Sequence, residues 1–415
     1  LNGEPSTWSD PSVAVTLKDK GKWIGIGSSQ ASLEDNFALQ QLVGAKNFNP
    51  GLDAQQENLL ATHMAILKQW SAASLAEMEQ ADAIVILGED VNNSAPRIAL
   101  SLRQALLNKA REQAEKLRVP GWQDSAVRSI LPHHPVPLAY IGYGDSNLGK
   151  QATIKLVCDD KEAAEQGFLL ANLLNERAPI PKVSKVDPQI LQLVEALKKA
   201  KRPLIVTGWS ANNSALLAAA ANIRKALEGL NSDSDSTSST ASTTTNKAML
   251  CIVPPEANTL GLGLLTEQGY LRADLLSETL SAEKSNLMVL DHTGPEFSKR
   301  LDEWRKSSTN VVRLSQLGTP HKNELNLPLS SFSECSGSEL NYQAVIQSRL
   351  PATKPSGQCL PAWHWLVHIG KLRQQPVGEL GDLGQLRDLL SHAYPQLAAH
   401  FVEHHQSQLA LQTPR

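Results

Sequence analysis

What this sequence lacks narrows it first. Its four cysteines, Cys158, Cys251, Cys335 and Cys359, stand far apart and form no Cys-x-x-Cys pair. That spacing removes a disulfide framework and the usual ligand sets for zinc or iron–sulfur clusters, and leaves reduced thiols as the expectation. Neither sign of charge prevails: 39 basic and 42 acidic residues leave a formal −3 at pH 7, so nothing draws the chain generally to nucleic acid or to an anionic membrane. No apolar run approaches the roughly 20 residues of a membrane-crossing helix. An initiator methionine is also missing, and Leu1-Asn2-Gly3-Glu4 does not resemble a signal peptide; the chain reads as cut from a longer one.

What is present is an ordinary globular composition, 41% hydrophobic and 20% charged over 415 residues, enough for two to four domains at roughly 100–200 residues each. Short runs of Ile, Val and Leu end at glycine, pass through a polar loop and open an amphipathic helix. Trp23 to Gly27, Ala83 to Gly88, Pro137 to Ile141, Pro203 to Gly208, Ala248 to Val253, Asn286 to Leu290 and Val311 to Leu314 are the strand candidates, with helical periodicity after the first two. Strands alternating with helices predict an α/β fold whose mostly parallel sheets are covered on both faces. The expected division is a leading segment over 1–20, a first Rossmann-like domain over 21–178, a second over 179–350 and a helical C-terminal extension over 351–415. The second domain carries a Ser/Thr-rich insertion at 231–246, a composition that cannot offset its ordering entropy and so reads as flexible. One loop spacing recurs, Gly88 before Asn92-Asn93-Ser94-Ala95 and Gly208 before Asn212-Asn213-Ser214-Ala215. Duplication and convergent capping chemistry both account for it.

Several motifs fall short of their chemistry. Gly144 to Lys150 has the G-x-x-x-x-G-K spacing that cradles phosphates, but Gln151 stands where Ser or Thr would hold magnesium, and Ala152 to Val157 reads as a strand rather than a helix. Gly25-x-Gly27 opens a dinucleotide fingerprint whose third glycine is Gln30. The pairs His364/His368 and His400/His404 each share a helix face but have no third ligand, and Trp363 and Trp365 belong to an apolar stripe with Leu366, Ile369 and Leu372. No Ser-His-Asp or Cys-His grouping stands out.

The segments Gly25 to Gly44, Ala81 to Val91 and Ala95 to Leu100, followed in order by Lys201 to Gly208, Asn258 to Leu264 and the region 325–347, resemble the large peripheral-arm subunit of bacterial NADH:quinone oxidoreductase, respiratory complex I. The resemblance runs from about Gly21 to about Trp365. It implies a molybdopterin-oxidoreductase-like part of that subunit, with two Rossmann-like units of the formate dehydrogenase and DMSO reductase type. Against the catalytic members of that group, Gly-x-Asn-Pro after the second strand reads here Gly88-Glu89-Asp90-Val91, a carboxylate in place of a neutral donor. Beside a cofactor pyrophosphate, a like charge at ~4 Å costs on the order of 4 kcal/mol at an effective dielectric near 20. Where those members carry a metal-binding Cys or selenocysteine, this chain has Asn47-Phe48-Asn49 and then Asp53 to Gln56. Their Phe-x-Glu-x-x-Gly-Thr-x-x-Asn-x-Glu-Gly-Arg-x-Gln survives as Phe332, Glu334, Gly337, Ser338, Asn341 and Gln347, with Gln343-Ala344-Val345 at its Glu-Gly-Arg core; the lost arginine removes a fork suited to anions.

The resemblance therefore implies a non-catalytic scaffold. No catalytic residue, metal ligand or bound cofactor is expected, and Gly27, Ser28, Gly88, Asp90, Gly208 and Asn341 mark degenerate loop positions. Iron–sulfur clusters are expected in an N-terminal part of the parent chain. The implied partners are other peripheral-arm subunits, with neither nucleic acid nor membrane insertion, at a cytoplasmic location peripheral to the inner membrane. An active molybdopterin-dependent oxidoreductase and a free-standing nucleotide-binding module remain the alternatives.

Overall fold

The structure, a computed structural model, describes residues 11–144, 146–178, 187–234, 247–283, 285–290, 295–317, 321 and 324–397. In chain order its strands are β1 (Trp23–Ile26), β2 (Phe48–Asn49), β3 (Ala83–Leu87), β4 (Leu138–Gly142), β5 (Ile154–Val157), β6 (Pro203–Gly208), β7 (Met249–Val253), β8 (Asn286–Val289), β9 (Val311–Ser315), β10 (Glu324–Pro328), β11 (Gly337–Leu340) and β12 (Ile346–Arg349). Ten of them form two five-stranded sheets in which every pairing is parallel. The expected α/β class, with two Rossmann-like sheets, is what the chain adopts.

The expected domain boundaries differ from the observed pairing. β1 and β2 join β8, β9 and β10 in one sheet, while β6, expected to open a second domain, lies beside β3. The chain accordingly divides into one unit of residues 1–61 with 256–413 and another of residues 62–255. A contiguous split is the simplest reading of βα periodicity, yet periodicity carries no information about which buried strand pairs with which. Residues 179–186, where the expected second domain begins, lie outside the described residues, as do residues 235–246 of the Ser/Thr-rich insertion, whose first residues continue the helix Ser214–Ser234.

In the second unit the sheet order is β5-β4-β3-β6-β7. The chain builds outward from β3 to one edge, then returns to place β6 on the other side of β3. This is a doubly wound order, with its topological switch point between the carboxyl ends of β3 and β6. The strands Ala-Ile-Val-Ile-Leu of β3 and Met-Leu-Cys-Ile-Val of β7 are buried at every residue, as expected where helices cover both faces. Side chains that also cap in isolation start the helices: Asp159 accepts from the Glu162 amide at 2.8 Å, and Asp187, before Pro188, from the Gln189 amide at 2.8 Å.

In the first unit the order is β10-β9-β8-β1-β2, which places the reversal between β1 and β8, the other common doubly wound arrangement. The helix Leu33–Val43 that follows β1 is buried at ten positions, polar ones included; a helix enclosed on all sides needs an internal partner for each polar group. Over it lie the antiparallel hairpin β11–β12 and the helices Ala362–Leu372 and Leu383–Ala393. The last two fall within the segment 351–415, whose described part ends at residue 397; His400 and His404 lie outside the described residues.

Candidate functional site

Open α/β sheets bind ligands at the switch point, where free backbone N–H groups and a helix N-terminus favour an anion. In the second unit Gly88 ends β3 in a left-handed conformation, φ +67°, and directs the next residue, Glu89, into the space beside β6. The Glu89 carboxylate is 1% exposed. It accepts from the Ser94 hydroxyl at 2.7 Å, from the Ser210 backbone N–H at 3.2 Å and from the Ser210 hydroxyl. Gly208 supplies the room, because a Cβ there would collide with Glu89 Oε2. The two glycines and the two serines at this switch point thus hold a carboxylate carried by the chain. Burial, and then the Glu89 charge, push the neighbouring Cys251 thiol well up, so it remains protonated.

Asp90, the residue singled out in the sequence, does something else. It caps the short helix Val91–Ser94 through the Asn92 amide at 3.3 Å and accepts from the Asn93 side chain. Glu89 was overlooked because only tertiary pairing brings Ser210 to it. The two recurring loops also part company here. Asp90 caps after β3, while after β6 Asn212 takes φ +49° and Asn213 accepts from the Ala215 amide at 3.0 Å; similar residues serve different local geometries.

In the first unit the corresponding loop follows β1 through Gly27, Ser28 and Ser29. The Ser28 N–H, the kind of donor that faces a phosphate, is taken by Asn36 Oδ1 at 2.8 Å, and Asn36 Nδ2 donates back to the carbonyls of Ser28 at 2.8 Å and Ser32 at 2.9 Å. A Cβ on Gly27 would lie 2.7 Å from Asn36 Oδ1 and 2.7 Å from Phe48, so this glycine serves close packing. Gly25 does likewise, since a Cβ there would meet Leu39 at 2.9 Å. At the helix N-terminus Ser32 and Asp35 form a reciprocal capping box. Asp35 also accepts from the Trp363 amide at 2.7 Å, and burial holds its carboxyl above the usual range despite these donors. Glu34, 0% exposed, accepts from the Ser338 N–H at 2.8 Å, the Ser338 hydroxyl at 3.0 Å and Arg387 Nε at 2.8 Å. Carboxylates native to the chain therefore occupy this positive helix end.

The other residues marked by their motifs fall into local roles. Asn341 shapes the β11–β12 turn, its side-chain oxygen accepting from Gln343 at 2.9 Å and Val345 at 3.1 Å. Asn258, fully buried beside this turn, donates to the Ala31 carbonyl at 2.8 Å and accepts from Leu340 at 3.2 Å. Asp53 exchanges bonds with Gln56, at 2.8 and 3.1 Å, as the cap of the helix Ala54–Gln69. Asn49 bonds the Leu271 carbonyl at 2.7 Å. His364 and His368 stack at 4.8 Å between ring centroids, and Trp363 stacks on His364 at 5.1 Å; face-to-face rings do not converge on a shared ion. Trp365 is core, donating to the Pro328 carbonyl at 2.8 Å. After Gly144 the described chain makes one short 3-10 turn, Gly149–Gln151, and then β5, with no α-helix between. Among the described residues no group of three or more His, Cys, Asp or Glu side chains is placed to hold a metal ion.

One further buried group has a chemical signature. His63, 0% exposed, accepts from Trp209 Nε1 at 3.3 Å through Nδ1, while its Nε2 has no hydrogen-bond partner among the described residues. Desolvation holds this imidazole down at about 3. In the unfolded chain it returns to about 6.5, so between these values the unfolded state binds a proton that the native state refuses. The stability that this group contributes is complete above pH 6.5 and falls as the pH drops toward 3, by on the order of 5 kcal/mol at the acid end. Glu57 opposes it. Burial raises this carboxyl from 4.5 to about 7, and its contribution is lost as the pH rises through that window. Subtracting the urea midpoints of a His63→Gln variant from those of the wild type isolates the histidine: the difference narrows steadily from pH 6.5 to 4, and parallel curves would exclude the assignment.

No family model matches the chain. Over 404 residues it is 35% identical to the G subunit of NADH-quinone oxidoreductase from Shewanella oneidensis, an alignment covering 92% of this chain and 41% of that protein. The chain is homologous to part of that subunit. The same subunit of Salmonella typhimurium and of Escherichia coli K12 is 30% identical over 400 residues, 93% of this chain and 42% of each relative. The chain thus spans well under half the length of these oxidoreductase relatives. Among solved structures, the formyltransferase/hydrolase complex FhcABCD of Methylorubrum extorquens superposes with a TM-score of 0.58 at 13% identity, covering 88% of this chain and 96% of that one. Acetylene hydratase of Pelobacter acetylenicus gives 0.57 at 13% identity, over 94% of this chain and 61% of its own. At such identities the likeness is one of fold. No helix among the described residues is long and apolar enough to cross a membrane.

Proposed function

We propose that this chain is a non-catalytic structural part, C-terminal in position, of the G subunit of an NADH-quinone oxidoreductase, and that its molybdopterin-type fold no longer holds a cofactor. The homology supports the parent assembly. The observation that carries the loss of the cofactor is Glu89, whose carboxylate takes the Ser210 N–H and two hydroxyls at the switch point of its sheet. An incoming pyrophosphate would find those donors engaged and a like charge in their place. At the loop after β1, Asn36 has taken the Ser28 N–H. Asp53, the one carboxylate at the position of the lost metal-binding cysteine, is committed as a helix cap.

The residues present do not fit a charged pterin, and no reaction step is assigned to this chain. The electron path from NADH belongs to iron–sulfur clusters held by another part of the parent subunit. This part braces the peripheral arm on the cytoplasmic side, against neighbouring subunits, without entering the membrane or binding nucleic acid. Elemental analysis of the purified assembly, with fluorescent detection of oxidised pterin, tests the reading. Iron is expected, with molybdenum and tungsten far below one per chain; stoichiometric molybdenum with extractable pterin overturns it.

A further inference from the structure

The geometry points to a protein-docking surface at the end of the second unit opposite Glu89, shaped for an acidic partner segment that carries a large apolar side chain. A cleft of about 980 Å³ opens there, at the amino ends of β3 and β6. Six basic side chains line it against four acidic ones. Of the acids, Asp82 accepts from the backbone N–H groups of Lys201 and Arg202, each at 2.8 Å, and Glu79 accepts from Ser101 at 3.2 Å, neutral donors that fix these carboxylates without cancelling their charge. Glu112 and Glu115 remain. On the basic side, Lys109, Arg118 and Lys201 have no ion-pair partner among the described residues, Lys199 meets Glu195 at 3.9 Å, and Arg111 and Arg202 bond neutral groups, the side chain and carbonyl of Gln104 and the side chain of Gln80. The excess is positive, and a cleft concentrates its field.

The rim is apolar and held in place. The helices Asn108–Lys116 and Asp124–Ile130 pack on a small core of their own, Ala110, Ala114 and Val127. The turn between them contributes Val119, Pro120 and Gly121 to the cleft wall and carries Trp122, 81% exposed, with Leu117 58% exposed nearby in sequence. Three backbone bonds fix this turn: the Arg118 N–H to Glu115 at 2.9 Å, the Val119 N–H to Ala114 at 2.8 Å and the Gln123 N–H to Pro120 at 3.0 Å. An indole on an ordered turn loses little freedom when covered, and Trp and Arg are the residues on which interfaces most often depend. Ligand sites of doubly wound sheets lie at the carboxyl ends of the strands, so a charged cleft at the opposite end, rimmed by an exposed indole, suits a macromolecular partner better than a cofactor. The −3 net charge of the chain gives no wider basic field of the kind nucleic acid selects.

This surface rests on the reading of the chain as a docking part of a larger assembly, and its test is separate from the molybdenum analysis. The photo-crosslinking substitution Gln123→p-benzoylphenylalanine is introduced into the full parent chain in its host, and the crosslinked peptides are sequenced after irradiation. The expected product is one peptide from a different protein, rich in Asp and Glu. Its yield falls at least tenfold with Lys109→Glu/Arg118→Glu and with Trp122→Ala, and falls also at an ionic strength of about 0.5 M. Hydrogen exchange over residues 108–134 shows whether each variant keeps its fold, and Lys109→Gln/Arg118→Gln replaces the charge reversal if that one does not. A crosslink to a second copy of this chain, an adduct with nucleic acid, a peptide without acidic excess, a yield indifferent to the charge changes, or no adduct at all would each overturn the proposal. Molybdenum found in an assembly that still gives the acidic peptide would overturn the scaffold reading alone.

Discussion

Glu34→Ala lowers the stability of the first unit by about 3–5 kcal/mol, the cost of breaking a buried ion pair from one side. The carboxylate is fully enclosed and its three donors come from distant parts of the chain, the hairpin β11–β12 and the helix Leu383–Ala393. Removing it takes from Arg387 Nε and from the Ser338 N–H their common acceptor, while Arg387 Nη2 keeps its bond to the Ser338 hydroxyl at 3.3 Å. Hydrogen exchange resolved by peptide shows the effect at residues 33–43, 337–349 and 383–393 together. Loss of protection confined to the helix Leu33–Val43 would mean that Glu34 acts as an ordinary first-turn acid rather than as the tie among the three. Arg387→Ala made in the same background costs far less than it does alone, because the charge it answered is gone.

Glu89→Ala is the second large effect, and it separates two meanings of the switch point. If the carboxylate is the internal occupant of an old anion site, its loss leaves the Ser210 N–H and two hydroxyls without their acceptor, at about 2–3 kcal/mol for hydrogen bonds to a charged group. The loss appears in the second unit, as faster exchange over residues 83–94 and 203–216. Part of it returns on adding pyrophosphate, which supplies the acceptor oxygens that the variant lacks. The wild type shows no such shift, since its donors are engaged. A wild type stabilised by pyrophosphate as strongly as the variant would show that Glu89 yields the site to a ligand, and would reopen the nucleotide-binding alternative. Glu89→Gln, which keeps one acceptor oxygen, falls between the two.

The legible parts of this fold are those whose physics is local. Buried parallel strands must be apolar on both faces, so β3, β4, β6, β7, β8 and β9 stand out as runs of Ile, Val, Leu and Met with ends within a residue or two of those observed. Helix starts at Ser32, Ser74, Asp159 and Asp187 follow from side chains that reach the nearest free N–H. The less regular strands gave weaker signals. β2 has only Phe48 and Asn49, and β10, Glu-Leu-Asn-Leu-Pro, alternates and begins with a buried glutamate that is tenable only because Arg305 meets it. The hairpin β11–β12 reads as polar sequence because its burial comes from Glu34 and Asn258, which are hundreds and tens of residues away respectively.

By itself, then, the sequence determined the class of the fold, the most apolar strands of the two parallel sheets, and the absence of cysteine where a metal ligand would stand, since each follows from residue type and short spacing. Only the tertiary structure decided that β1 belongs with β8 and β3 with β6, because strand pairing depends on which apolar faces meet and not on how they are spelled. It also decided that Glu89 and not Asp90 fills the switch point. Two adjacent carboxylates are equivalent along a chain, and they become different only when one turns inward, toward a serine 121 residues away, and the other stays at the surface as a cap.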